Sequence, residues 1–166
     1  MKTLLLLRHA KSSWDAPALD DFDRPLAPRG ERDAPRMGRA LRERGVLPDL
    51  IVCSPAVRAR QTCDAFVAAA QLSVEPQLDK AIYGASADEL MKLIRGLPAH
   101  SACALMVGHN PGMQDLVSRL AGVDEEMPTA ALACIVFDAE RWDDVEEGRG
   151  RLDWLLKPKQ LAGEAP

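Results

Sequence analysis

Two arginines and two histidines occupy places where side chains can do chemistry together. Arg8 and His9 end the apolar run "TLLLL", Arg58 follows the run "LIVC" in "SPAVR", and His109 follows "CALMV" in "GHNPG". Two guanidinium groups can grip the oxygens of a phosphoryl group with planar, bidentate geometry. A neutral histidine offers a nitrogen lone pair at neutral pH, where a lysine is protonated. It can attack phosphorus and carry the phosphoryl group covalently. A second histidine, protonated, can stabilise charge on the oxygens or pass a proton. Arg8 is therefore read as a phosphate grip, His9 as the attacking group, and Arg58 and His109 as their partners. Arg60 and His100 have no such placement and are read as ordinary surface residues.

The elements that must position these residues alternate between strand and helix. "TLLLL", "LIVC", "CALMV", "ALACIVF" and "LDWLL" read as strands. A helix is predicted over 32–44, with Met37, Ala40 and Leu41 on one face and Gly45 as its stop. Pro35 sits awkwardly in it and suggests a start near Asp33. A second helix spans 56–70, with Ala59, Cys63, Phe66, Val67 and Ala70 inward. Ser86 and Glu89 form a capping-box pattern ahead of Leu90, Leu93, Ile94 and Leu97. A fourth helix covers 113–121. Ser54-Pro55 and Asn110-Pro111 each look like an N-cap followed by proline at the first helical position. Such alternation predicts an α/β fold, a mostly parallel sheet covered on both faces, with ligands bound at the carboxyl ends of the strands.

Composition narrows the classes. The chain has 166 residues, 47% hydrophobic and 28% charged, which favours a single domain over 1–166 with a frayed tail from about 158. The net charge of −4 argues against nucleic acid as a partner. The apolar start is too short for a signal peptide, and no run is long enough to span a membrane, so a cytoplasmic location is expected. Cys53, Cys63, Cys103 and Cys134 show no CxxC pair and read as reduced core cysteines rather than metal ligands.

The residues at the strand ends resemble the histidine phosphatase (phosphoglycerate mutase-like) superfamily. Its Arg-His-Gly motif, its S-x-x-x-R-A-x-Q-T-like segment and its later histidine are matched by Arg8-His9-Ala10, by "SPAVRARQT" and by His109 in "VGHNPG". Together with "RHAKSSW", "DRPLAPRG" and the compact length, these are most similar to the SixA-type phosphohistidine phosphatases. The resemblance implies a three-layer α/β/α sandwich, His9 as nucleophile, and Arg8, Arg58 and His109 as the rest of the catalytic phosphate pocket. It implies no metal or organic cofactor.

There are departures from the family pattern. Ala10 replaces the usual glycine. Mutase-type members carry a glutamate acid in an L-x-E-x-x-Y-G-like segment; in "QLDKAIYGA" the matching place falls at Lys80, with Asp79 beside it and pointing elsewhere if the segment is extended. Residues 11–30 read as a long loop flanking the pocket, with Asp20, Asp21 and Asp23 as candidate substitute acids. Trp14, at a position the mutases also use, is a candidate substrate-binding residue, with loop anchoring as the alternative. Imidazole leaves more readily than an alkoxide once protonated, with a conjugate pKa of ~6.5, so a missing acid favours a P–N substrate.

The expected function is hydrolysis of protein phosphohistidine through phospho-His9. The alternatives are a small-molecule phosphomonoesterase of the same superfamily and, from another class, a non-catalytic phosphate-binding module. The partner is a phosphorylated protein or a small phosphorylated molecule, with no nucleic acid and no membrane. Oligomeric state stays open, with a monomer favoured.

Overall fold

The computed structural model describes residues 1–161. Its six-stranded sheet has the order β3-β2-β4-β1-β5-β6, with β1 at Lys2–Arg8, β2 at Leu50–Cys53, β3 at Gln77–Leu78, β4 at Cys103–Gly108, β5 at Leu132–Phe137 and β6 at Arg151–Leu156. The first four strands run parallel; β5 is antiparallel to both β1 and β6. Five strands thus share one direction, and the mostly parallel sheet expected from the alternating pattern is present. The two-residue edge strand β3 was not foreseen; both of its residues are exposed, so it carries no hydrophobic signal.

The period-two alternation of strand side chains explains the leucine run. Leu4 and Leu6 enter one core with Val52, Met106 and Ile135, while Leu5 and Leu7 enter the other with Ile51, Val107 and Leu132. All four leucines are fully buried, each worth roughly 1.5–3 kcal/mol of transfer free energy. The second core is closed by α1 (Pro28–Arg44) and α2 (Val57–Ala70), the first by α3 (Ala87–Arg95) and α4 (Gly112–Ala121). The result is the three-layer α/β/α sandwich expected from the sequence.

Helix α1 starts at Pro28, four residues before the predicted boundary. Pro28 takes the first helical position, where its missing N–H costs nothing. Pro35 lies inside the helix and is tolerated because Ala34, Met37, Gly38 and Leu41 are buried around it. Two glycines permit the close packing. A Cβ on Gly30 would lie 2.2 Å from the Lys11 carbonyl oxygen, and one on Gly38 would lie 2.4 Å from the Phe66 carbonyl oxygen. The early start shortens the predicted 11–30 loop, which also contains a 3₁₀ turn at Asp21–Asp23.

The helix stop at Gly45, with φ of 71°, and the Ser86–Glu89 capping box are as predicted. The proline-based helix starts are not. The N-cap of α2 is Ala56 and that of α4 is Pro111, which follows a cis peptide bond. Ser54 is left free to serve another partner. The tail is ordered further than expected, in a short helix α5 at Pro158–Leu161; positions 162–166 lie outside the described residues. Among the described residues, no helix is long and apolar enough to cross a membrane.

Candidate active site

Strand register brings the predicted residues to one sheet edge. Arg8 pairs with Gly108 across β1 and β4, and Cys53 pairs with Val107 across β2 and β4. Arg8-His9, Ser54 and His109 therefore leave three adjacent strands at the same level. The His9 N–H donates to the Gly108 carbonyl at 3.0 Å, and the Ser54 N–H to the Val107 carbonyl at 3.0 Å. Arg58 follows in the first turn of α2. The His9 and His109 rings lie 5.1 Å apart between centroids. Both are nearly buried, as is Arg58.

Hydrogen bonds orient both rings and set the tautomer of His9. The His9 Nδ1–H donates to the Ala10 carbonyl at 2.8 Å, which leaves the lone pair on Nε2. The Ser54 hydroxyl accepts the Ala56 N–H and lies 2.7 Å from His109 Nε2. With the hydroxyl donating to Nε2, His109 carries its proton on Nδ1. The Ala10 N–H donates to Thr62 Oγ1, whose hydroxyl donates to the Arg58 carbonyl, tying the turn after His9 to α2.

Among the described residues, three buried side-chain nitrogens have no hydrogen-bond partner: Arg8 Nε, Arg58 Nε and His109 Nδ1. Unsatisfied buried donors cost about 1–3 kcal/mol each, more when charged. Their gathering at one strand edge fits a cradle for an anion that accepts three hydrogen bonds. Beside it stands a nitrogen lone pair on His9.

Other donors of the two arginines are partly engaged, one terminal nitrogen of Arg8 and both of Arg58. Arg8 Nη1 donates to the Met127 carbonyl at 3.1 Å. Arg58 Nη1 donates to the Asp21 carbonyl at 2.6 Å, and Nη2 to Asp21 Oδ2 at 2.9 Å. The Tyr83 hydroxyl donates to the same Oδ2 at 2.7 Å, while Arg24 holds Oδ1. The Tyr83 ring meets His109 edge-on, 5.5 Å between centroids. Asp21 thus clamps the Arg58 fork and the Tyr83 ring at the rim.

The electrostatics follow from this crowding. Burial, with smaller contributions from His109, Arg58 and Arg8, pushes His9 down to about 3. Burial and the same two arginines push His109 down to about 4. Both rings are neutral at neutral pH. The protonated second histidine expected from sequence is not what this state contains, because burial first, and the nearby guanidinium groups second, disfavour its charged form. Asp21 is lowered to about 2, chiefly by the Tyr83 hydroxyl and then by Arg58 and Arg24, so it is an ionised clamp and not a proton donor.

These shifts carry a stability consequence. Each histidine has a folded pKa below its unfolded value of ~6.5, so the unfolded chain gains protons first as pH falls. Nothing is lost above pH ~6.5; below it, each buried ring destabilises the native state until its folded pKa is reached. By pH 5 that amounts to roughly 2 kcal/mol per histidine. Urea unfolding at pH 7.5 and pH 5 should show such a drop. Added vanadate, bound only by the native state, should recover part of it. A midpoint unchanged between the two pH values would contradict depressed histidines.

Other expected residues fall differently. Trp14 is 69% exposed, with the Arg24 guanidinium stacked 3.6 Å from its ring centre. It anchors the loop to Arg24, and through Arg24 to Asp21. Lys80 is exposed, and Asp79 spends its carboxylate on the Ala81 N–H, capping the 3₁₀ turn Lys80–Ile82. Asp20 and Asp23 are exposed. Arg60 binds the Pro55 carbonyl. Ser54 was read from sequence only as a helix cap, and Thr62, Tyr83 and Arg24 were not singled out, although each stands inside a motif that was: the first two in "SPAVRARQT", Tyr83 in "AIYGA" and Arg24 in "DRPLAPRG".

The profile of the histidine phosphatase superfamily (branch 1) matches residues 4–94, more than half of the chain. The chain belongs to the histidine phosphatase superfamily. An uncharacterized chloroplastic protein of Arabidopsis thaliana is 32% identical over 165 residues, covering 94% of this chain and 76% of that one. The solved structure of a candidate phosphohistidine phosphatase, SixA, from Agrobacterium tumefaciens is similar at a TM-score of 0.82 and 30% identity, covering 95% of this chain and 98% of that chain. A 2,3-bisphosphoglycerate-dependent phosphoglycerate mutase from Thermobifida fusca is 44% identical over 66 residues, 39% of this chain and 27% of that one. Within the histidine phosphatase superfamily the chain is therefore of the SixA type, and its coarse assignment is a phosphatase acting on phosphorylated substrates.

Proposed function

We propose that the protein hydrolyses phosphohistidine on a protein, by way of a phosphoryl group carried on His9. The observation that carries this reading is the state of Asp21. It is the carboxylate that the fold brings to the cradle, and it is held ionised by Tyr83, Arg58 and Arg24. An alkyl phosphate expels an alkoxide and needs an acid. Phosphohistidine protonated on its distal ring nitrogen releases neutral imidazole, with a conjugate pKa of ~6.5, and needs none. The assigned identity of the A. tumefaciens relative supports the same substrate class.

In the proposed sequence, Arg8 Nε, Arg58 Nε and His109 Nδ1–H take the phosphoryl oxygens. The His9 Nε2 lone pair forms a bond to phosphorus as the substrate P–N bond breaks, and imidazole departs with the electron pair. Water then attacks phospho-His9, yielding inorganic phosphate and a neutral His9. The Ala10 carbonyl bond to Nδ1–H holds the ring and stabilises the positive charge that develops on it.

The test is a phosphate-release panel at pH 7.5. It compares a phosphohistidine peptide, phosphoserine and phosphotyrosine peptides, and glycerol phosphates. The expected kcat/KM for the phosphohistidine peptide exceeds that for glycerol phosphates by about 10²–10⁴-fold, the usual contribution of a general acid. Comparable values would point instead to a small-molecule phosphomonoesterase. No turnover and no labelling of His9 with any donor would leave only a phosphate-binding module.

A further inference from the structure

Five cations meet at a cleft outside the phosphate cradle, although the chain carries a net charge of −4. The cleft has a volume of about 550 Å³. Arg29, Arg32 and Arg36 line one wall, Lys157 and Lys159 line another, and Asp33 and Glu126 are the carboxylates present. Neither the phosphate chemistry nor the core requires cations here.

The cleft shares a partition with the active site. Pro128 and Thr129 line it. The next residue, Ala130, donates its N–H to the His9 carbonyl at 3.0 Å, and Met127 just before accepts from Arg8. On the cleft side, Arg29 Nη2 reaches Thr129 Oγ1 at 3.5 Å. The segment 127–130 thus has Arg8 and His9 on one flank and the arginine row on the other.

The cations keep much of their charge available. Asp33 lies 3.9 Å from both Arg32 and Arg36, within ion-pair range but beyond hydrogen-bond distance. Arg32 is well exposed, and Arg36 partly so.

The spacing selects among ligands. Arg29, Arg32 and Arg36 stand at i, i+3 and i+7 on one face of α1, a row ~10 Å long at ~1.5 Å per residue. Side chains on one face of an extended peptide repeat every ~7 Å. A lone phosphate fills one arginine fork. The row instead matches two acidic side chains in succession.

We propose that this cleft docks an extended acidic segment of the phosphoprotein substrate beside its phosphorylated side chain. The proposal rests on the phosphohistidine reading and adds to it a sequence context: glutamate or aspartate at alternate positions flanking the phosphorylated residue. Such a surface acts through charge, so it contributes to capture and to salt dependence, not to the chemical step.

The test uses an unphosphorylated fluorescent peptide with alternating glutamates, a neutral peptide of the same length, and phosphohistidine peptides with each kind of flank. Binding is followed by anisotropy at low and high salt, turnover by phosphate release. Wild type should bind the acidic peptide in a salt-sensitive way and show a lower KM for the acidic-flanked substrate. The double variant Arg32→Glu/Arg36→Glu should lose about tenfold in both, with kcat and turnover of phosphoramidate unchanged. That small donor also reports whether the variant is folded; if it is not, Lys157→Glu on the other wall provides the same test.

Equal KM for both flanks in wild type, or an undiminished preference in the charge-reversed variants, overturns the docking site and leaves the phosphohistidine reading intact. Acidic-peptide binding without turnover of either phosphohistidine peptide overturns that reading, and the substrate role with it, while the cleft's ligand chemistry stands. Tripolyphosphate binding with no peptide binding would assign the cleft to a small polyanion instead.

Discussion

His9→Ala is expected to abolish both phosphoryl-enzyme formation and turnover. Incubation of wild type with a labelled phosphodonor, quenched within its first turnovers, should give acid-labile, base-stable label on His9. The variant should carry none, and kcat should fall by at least about 10³-fold, the scale seen when a nucleophile acting in concert with its neighbours is removed. The geometry leaves no near substitute. The other ring at the site, His109, has its Nε2 engaged by the Ser54 hydroxyl at 2.7 Å. Label that persists in His9→Ala would remove His9 as the nucleophile. Label on His109 in wild type would reverse the two roles.

Arg58→Ala should be the next most damaging change. Its Nε is one of the three unpartnered donors of the cradle, and its other nitrogens hold Asp21. Loss of one oxyanion donor costs about 10²–10³-fold in kcat. Here the loss should be at the upper end, since the Asp21 clamp and the Tyr83 contact are released together. Arg58→Lys should recover little, because an ammonium cannot present Nε to the phosphoryl group while Nη1 and Nη2 hold Asp21. Asp21→Ala should reproduce part of the effect through a freed Arg58. Vanadate affinity and kcat measured for the three variants check the order; full activity in Arg58→Lys would mean that charge alone, not the fork, is required.

Five strands, the helix faces and the candidate residues Arg8, His9, Arg58 and His109 were legible because they obey local rules. An apolar run that stops on charged residues marks a buried strand end, and periodicity marks a helix face. The boundaries that failed were those set by contacts between segments. Helix α1 begins at Pro28, a proline at the first helical position that the helix periodicity alone did not reveal, and Gly30 there closes against the Lys11 carbonyl. The caps of α2 and α4 shifted because Ser54 serves His109 and Asn110 binds Met127.

The sequence by itself set out the chemistry on offer: a histidine able to attack phosphorus, two arginines and a second histidine, three of them at predicted strand ends and Arg58 at the start of the helix after one. Tertiary structure decided the states of those groups. That His109 is neutral, that its Nδ1 and not its Nε2 faces the cradle, and that Asp21 is an ionised clamp all depend on side chains brought together from distant parts of the chain. Asp21, Arg58 and Tyr83 are separated by dozens of residues, and only packing places one carboxylate between a guanidinium and a phenol. A protonation state is set by desolvation and neighbouring charge, and neither quantity exists until the sheet has closed.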